Sequence, residues 1–113
     1  MHELGLCDYL LKTVDRVAKE EALTEVRSVT LEVGLLSGVV PRFMEDCWQA
    51  VVDGTPYENT ALVIETINGI ARCLDCGHEF SADLERLYCP KCVSRRITPV
   101  TGNDLSLKEI VGG

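Results

Sequence analysis

Four of the six cysteines in this 113-residue chain form two Cys-x2-Cys pairs separated by twelve residues. They are Cys73, Cys76, Cys89 and Cys92. Two such pairs form tight turns whose thiolates converge on one tetrahedral ion, and Gly77 after the first pair suits such a turn. The residues between the pairs offer too little apolar surface for a core, so bound metal would stabilise the segment instead. The spacing therefore predicts a zinc site in which protein ligands fill all four positions, which makes the zinc structural rather than catalytic.

Two disulfides, or four ordinary cysteines, are the alternatives to zinc. The amino-terminal segment has neither the basic start nor the apolar stretch of a secretory signal, because His2, Glu3 and Asp8 occupy it. The apolar runs of the whole chain are also far shorter than the roughly 18 residues that a membrane span needs. We therefore expect a cytoplasmic protein without a membrane partner, and the reducing cytoplasm disfavours disulfides. His78, close to the first pair, is a further candidate ligand but is expected to be a surface residue.

Outside the cysteine segment, hydrophobic periodicity predicts an α+β fold. The predicted elements are a helix over 4–22, a strand over 28–35, a helix between Pro41 and Gly54, a strand over 60–67 and a last strand from Leu105. The simplest arrangement is a small three-stranded sheet covered by two helices, with a zinc-ribbon-like four-cysteine module inserted before the last strand. Residues 1–69 and 102–113 would then form an α/β domain, and 70–101 a zinc-binding domain.

The helical patterns also predict which side chains are buried. The second helix is expected to bury Phe43, Cys47, Ala50 and Val51. Cys7 and Cys47 have no Cys-x2-Cys partner and lie on apolar stripes, which predicts buried free thiols. Trp48 is expected either to be partly exposed, as an anchor for a partner, or to pack at the edge of the core. The Gly112-Gly113 ending is expected to be frayed.

The charge argues against general binding of nucleic acid. Eighteen acidic and eleven basic residues give a net charge of −7, whereas phosphate binding favours a basic surface. The bases are relatively enriched around the cysteine pairs, where aromatic residues could stack on bases. A zinc-ribbon interaction module that binds nucleic acid or a protein complex therefore stays as the alternative function.

The first three residues, Met1-His2-Glu3, form a candidate metal chelate. The Met1 amine, the His2 backbone nitrogen and the His2 imidazole can bind one cation, and nitrogen-rich square-planar sites suit Ni(II) and Cu(II). The backbone or carboxylate of Glu3 would complete or support the shell. Protons compete for each nitrogen, so the site should be sensitive to pH. The alternative is an ordinary frayed terminus, with Glu3 stabilising the start of the first helix.

Several motifs occur together in one order. They are Met1-His2-Glu3, Cys7, Pro41-Arg-Phe43 with Cys47, and the two cysteine pairs with Gly77 and Pro90. In this combination and length the chain resembles the HypA family, the nickel metallochaperones of [NiFe]-hydrogenase maturation. The resemblance extends over essentially the whole chain.

The resemblance implies a binding and delivery protein rather than an enzyme. It implies Ni(II) as transient cargo, with His2 as the principal ligand, the Met1 amine and nearby backbone nitrogens beside it, and Glu3 close. It also implies structural Zn(II) held by the two cysteine pairs. The implied partners are a nickel-handling GTPase of the HypB type and the hydrogenase large subunit. Some members serve urease or form dimers, so urease maturation proteins and a second copy of the chain stay open as further partners.

Overall fold

Two α-helices, one short 3-10 helix (Leu35–Ser37) and six strands are formed by residues 2–83 and 85–113, which are the residues that this computed structural model describes. The helices are α1 (His2–Glu20) and α2 (Pro41–Val52). The strands are β1 (Val26–Gly34), β2 (Ala61–Ile67), β3 (Gly69–Cys73), β4 (Glu79–Ala82), β5 (Ile97–Pro99) and β6 (Leu105–Gly112). The α+β class is confirmed, and the predicted helices and strands occur in the predicted order. The sequence did not predict the three short strands around the cysteines.

The chain divides into two compact units. The helical unit comprises Met1–Leu31, Val39–Glu65 and Leu107–Gly113, and the cysteine unit comprises Glu32–Gly38 and Thr66–Ser106. One sheet has the strand order β2-β1-β6, which is the predicted three-stranded sheet. The other has the order β4-β3-β5, with β3 antiparallel to both neighbours. The domain boundaries expected from the sequence stay a prediction.

Helix α2 buries a different stripe from the expected one. Its buried residues are Met44, Cys47, Trp48 and Val52. Phe43 is 50% exposed and Ala50 is exposed, so the expectation for these two side chains was wrong. Apolar residues occur on most sides of this helix, so periodicity alone could not select the face that packs.

Trp48 is fully buried, which excludes the exposed anchor that the sequence had left open. Its indole N–H donates to the carbonyl oxygen of Thr60 at 2.9 Å. The Thr60 hydroxyl in turn donates to the carbonyl of Val26 at 2.7 Å. These bonds join α2 to the start of β1 through a buried threonine, and they satisfy the indole donor inside the core.

The two unpaired cysteines are buried free thiols, as predicted. The Cys7 thiol donates to the carbonyl oxygen of Met44 at 3.2 Å, which links α1 to α2. Burial, followed by the nearby Cys47 and Glu3 side chains, raises the pKa of Cys7 to about 11. Cys7 is therefore a neutral thiol at physiological pH.

The carboxyl-terminal residue is held in place rather than frayed. The carbonyl oxygen of Gly113 accepts the backbone N–H of Thr24 at 2.7 Å and the Thr24 hydroxyl at 2.8 Å. The Gly113 N–H donates to the carbonyl of Glu25 at 3.2 Å. Hydrogen bonding therefore continues past β6, and the expectation of fraying was wrong.

No helix within 2–83 and 85–113 combines the length and apolar character that crossing a bilayer requires.

Candidate metal centre

The first cysteine pair begins at the last residue of β3. The Gly77 N–H donates to the Cys73 carbonyl at 2.9 Å, and the Cys73 N–H donates to the His78 carbonyl at 2.9 Å. Gly77 has a φ of +76°, which glycine adopts without steric cost. The predicted tight turn after the first pair is therefore present.

The second pair forms a turn of the same kind. The Val93 N–H donates to the Cys89 carbonyl at 2.8 Å, and the Cys89 N–H donates to the Ser94 carbonyl at 2.8 Å. Val93 holds the position that Gly77 holds in the first turn, and its φ is +65°. We call these two turns the first and second knuckles (73–77 and 89–93).

The four sulfur atoms of the knuckles lie within 4.8 Å of one another. Cys73 Sγ is 3.5 Å from Cys92 Sγ, and Cys76 Sγ is 3.6 Å from Cys89 Sγ. A tetrahedral zinc with bonds of about 2.3 Å separates its sulfur ligands by about 3.8 Å. The donor set and its spacing fit Zn(II), and no position is left for a substrate. We call this set the four-cysteine cluster.

One side of the cluster packs against a small core. Cys73 and Cys89 are buried together with Ala71, Phe80 and Ala82, whereas Cys76 and Cys92 are exposed. Such a core is too small to hold the unit together, which is consistent with metal as its main stabiliser.

Without metal, the two close sulfur pairs share protons unequally. The backbone N–H of Cys76, helped by that of Asp75 and by the Cys92 sulfur, lowers the pKa of Cys73 to about 6. The Ser94 N–H acts to lower the pKa of Cys92, but the Cys73 sulfur and partial desolvation outweigh it and raise that pKa to about 12. This pair is a thiolate and a thiol near neutral pH.

The second sulfur pair has the same asymmetry. The His78 N–H acts to lower the pKa of Cys76, but partial desolvation and the Cys89 sulfur raise it overall. Burial acts to raise the pKa of Cys89, but the backbone N–H groups of Cys92 and Lys91 lower it overall. A divalent ion would turn all four groups into thiolates, because coordination deprotonates thiols.

His78 is exposed and does not belong to the cluster. Its ring stacks on Phe80 with centroids 6.3 Å apart and planes inclined by 17°. This arrangement agrees with the surface position expected for His78.

The predicted nickel ligands lie partly outside the described residues. Met1 and the side chain of His2 are outside them, and the backbone of His2 begins α1. Glu3 is only 7% exposed, and its Oε2 accepts the backbone N–H of Val40 at 3.4 Å. Val40 directly precedes α2, where a carboxylate interacts favourably with the helix dipole. The sequence missed this contact because the two residues lie 37 positions apart.

The chain is similar to known proteins over nearly its whole length. A family model described as hydrogenase/urease nickel incorporation, metallochaperone, hypA matches residues 1–112. The chain is 34% identical over 111 residues to the hydrogenase maturation factor HypA of Chlorobium luteolum, covering 98% of this chain and 95% of that one. It is 36% identical over 112 residues to the HypA of Streptomyces avermitilis, covering 97% and 86%.

Its fold is similar to that of a solved metallochaperone. The solution structure of the Ni metallochaperone HypA from Helicobacter pylori matches with a TM-score of 0.66 at 20% identity. The match covers 97% of this chain and 96% of the other.

Proposed function

The chain belongs to the HypA family, and on that premise we propose that it binds Ni(II) at its amino terminus and delivers it to the large subunit of [NiFe]-hydrogenase. Delivery would involve a nickel-handling GTPase partner. The observation that most supports the proposal is the family match over residues 1–112, a range that includes both Met1-His2-Glu3 and the four-cysteine cluster. Nickel is cargo in this scheme, zinc is structural, and the chain catalyses no reaction of its own.

We propose that the Met1 amine, the His2 backbone nitrogen and the His2 imidazole bind the nickel. Amine and amide nitrogen close a five-membered ring around the ion, and amide nitrogen and imidazole Nδ1 close a six-membered ring. Three nitrogen donors of this kind suit square-planar Ni(II). The first N–H groups of a helix have no partner within it, so using the His2 nitrogen breaks no helical hydrogen bond.

Glu3 supports this site in the proposal by fixing the first turn of α1. Its buried carboxylate accepts the Val40 N–H, and the Cys7 thiol one turn later contacts the Met44 carbonyl. Both contacts tie the beginning of α1 to α2. The helix beneath the chelate is therefore anchored at two successive turns.

The same geometry favours reversible binding. The positive end of the α1 dipole disfavours a cation at the helix start, and protons compete for each nitrogen ligand. We expect modest nickel affinity that weakens as the pH falls. Easy release is what a delivery protein requires, whereas a cage of four thiolates would retain its ion.

Urease maturation proteins and a second copy of this chain are further proposed partners, in a cytoplasmic setting. The proposed domain division assigns nickel to residues 1–69 with 102–113 and zinc to 70–101. Contact with a GTPase is tested by binding of the purified partner in the presence and absence of nickel.

Native mass spectrometry of the zinc-loaded chain with a free amino terminus tests the nickel site. We expect one nickel in the parent protein and none in His2→Ala. Glu3→Gln is the matched variant, because it keeps the chelating atoms and removes only the buried charge; it should retain nickel with reduced affinity. Equal nickel in the parent and in His2→Ala would refute the terminal site.

Calorimetry provides a second test. Nickel affinity should fall between pH 7 and pH 6 as the imidazole and amine take up protons. An affinity that stays constant over this range would contradict nitrogen ligands.

A further inference from the structure

A carboxylate inside the first knuckle reaches the segment that follows the second. Asp75 lies between Cys73 and Cys76, and its Oδ1 accepts a hydrogen bond from Arg96 Nη1 at 2.9 Å. Its Oδ2 accepts the hydroxyl of Ser94. We call Asp75, Ser94 and Arg96 the Asp75 clip.

Backbone bonds connect the same segments. The Leu74 N–H donates to the Arg96 carbonyl at 2.7 Å. The Arg96 N–H donates to the Ser94 hydroxyl oxygen at 3.1 Å. The Asp75 N–H donates to the ligand sulfur of Cys73 at 3.4 Å. One residue is therefore bonded both to a sulfur of the first knuckle and to the chain leaving the second.

The second knuckle needs such support because its backbone is strained. A β-branched residue at a φ of +65° is a steric outlier, and Val93 is also 70% exposed. Gly77 occupies the equivalent position of the first knuckle without that cost. Strained positions persist only where their surroundings fix them. Ser94, the next residue, is held by Asp75 through its hydroxyl, and its carbonyl accepts the Cys89 N–H.

We propose that Asp75 is a positioning residue of the zinc site, which keeps the two knuckles together and so slows the loss of zinc. Zinc leaves only when several Zn–S bonds open in succession. While the clip is closed, a thiolate that has dissociated stays near the ion and binds again before the next Zn–S bond opens. The inference rests on the zinc site and is independent of the nickel proposal.

The test uses the zinc-loaded full-length protein mixed with an excess of a chromophoric chelator, with zinc transfer followed by absorbance. We expect Asp75→Asn to release zinc about two- to fivefold faster, because the clip loses its charge-assisted pair with Arg96 and one of its two acceptor oxygens. The Asp75–Arg96 ion pair is exposed, so added salt should weaken it in the parent protein. The difference in zinc-release rate between the parent and Asp75→Asn should therefore shrink as the salt concentration rises.

Glu79→Gln is the matched control. Glu79 accepts two hydrogen bonds from Arg72 at 3.1 and 2.7 Å in the same unit, joining β3 and β4 rather than the two knuckles. Its substitution changes the net charge by the same amount as Asp75→Asn. The control should release zinc at the parent rate.

The absorption spectrum of the cobalt-substituted protein shows whether Asp75 only positions the cysteines or itself binds the metal. Cobalt-substituted Asp75→Asn should show the parent sulfur-to-metal absorption bands, because all four cysteines still bind. If Asp75→Asn does not fold, the rates of Ser94→Ala and Arg96→Gln decide the question, since each removes one arm of the clip. Parent-like zinc release in all folded clip variants, or equal acceleration by Glu79→Gln, would overturn the proposal.

Discussion

Zinc binding by the four-cysteine cluster should weaken as the pH falls. The logarithm of the dissociation constant should change with pH by the number of protons that the ion displaces. The pKa of Cys73 is lowered to about 6, so this sulfur is already a thiolate at pH 7 to 8. The pKa of Cys92 is raised to about 12 and that of Cys76 is also raised, so both are thiols there. The pKa of Cys89 is lowered, and this residue contributes one further proton at most. Zinc should therefore release two to three protons.

The size of the effect follows from this number. Each displaced proton changes the apparent dissociation constant about tenfold per pH unit, so two to three protons give about 100- to 1,000-fold between pH 7 and pH 8. Four independent thiols with pKa values near 8.5 would release nearly four protons at pH 7 and about three at pH 8, which gives about 4,000-fold over this range. Backbone N–H groups lower the pKa values of Cys73 and Cys89, helped by the close sulfur pairs at 3.5 and 3.6 Å, and this is the reason for the smaller number.

Competition against a chelator of known pH dependence measures the slope between pH 7 and pH 8. Calorimetry at pH 7 in two buffers of different ionisation enthalpy counts the released protons directly, and at this pH four independent thiols would release nearly four. A count of four, or a count of one or fewer, would refute the picture of two proton-sharing pairs.

Three further predictions concern stability and thiol chemistry. Gly102→Ala should lower the free energy of unfolding by about 2–5 kcal/mol, because its φ is +78° and an added Cβ would lie 2.5 Å from the Gly69 Cα. Gly54→Ala has a similar φ of +75° but open space around the added Cβ, so urea unfolding should show a loss of only about 1–2 kcal/mol; equal losses would contradict the steric argument. Trp48→Phe should cost about 1–3 kcal/mol by leaving the Thr60 carbonyl without its donor, and unchanged unfolding by circular dichroism would contradict this role. The buried thiol of Cys7, with its pKa of about 11, should resist iodoacetamide at pH 8 in the folded protein and react in urea; rapid labelling without urea would contradict its burial.

The amino-acid sequence predicted those features that depend on residues close together along the chain. Alternation along 28–35 predicted β1, in which Val29, Leu31 and Val33 are buried. Pro41 marked the first residue of α2, because its fixed φ suits the first helical turn. These patterns act through local backbone geometry, which is why they can be read without the fold.

The side of a helix that packs is a different kind of property. Met44 is fully buried and Phe43 is half exposed, although both are large and apolar and adjacent in sequence. The choice between them depends on the contact of α2 with α1, where the Met44 carbonyl accepts the Cys7 thiol across 37 positions. Composition carries no information on such a choice.

For the candidate sites, the sequence by itself predicted which four cysteines converge, because two short knuckles leave little freedom in how their sulfur atoms meet. It also predicted a metal chelate at Met1-His2-Glu3, because these three residues are adjacent in the chain. Only the tertiary structure decided that Glu3 is buried against Val40 and that Asp75 is bonded to Arg96. These pairs are separated by 37 and 21 residues, and such contacts form only after the elements between them have folded and packed.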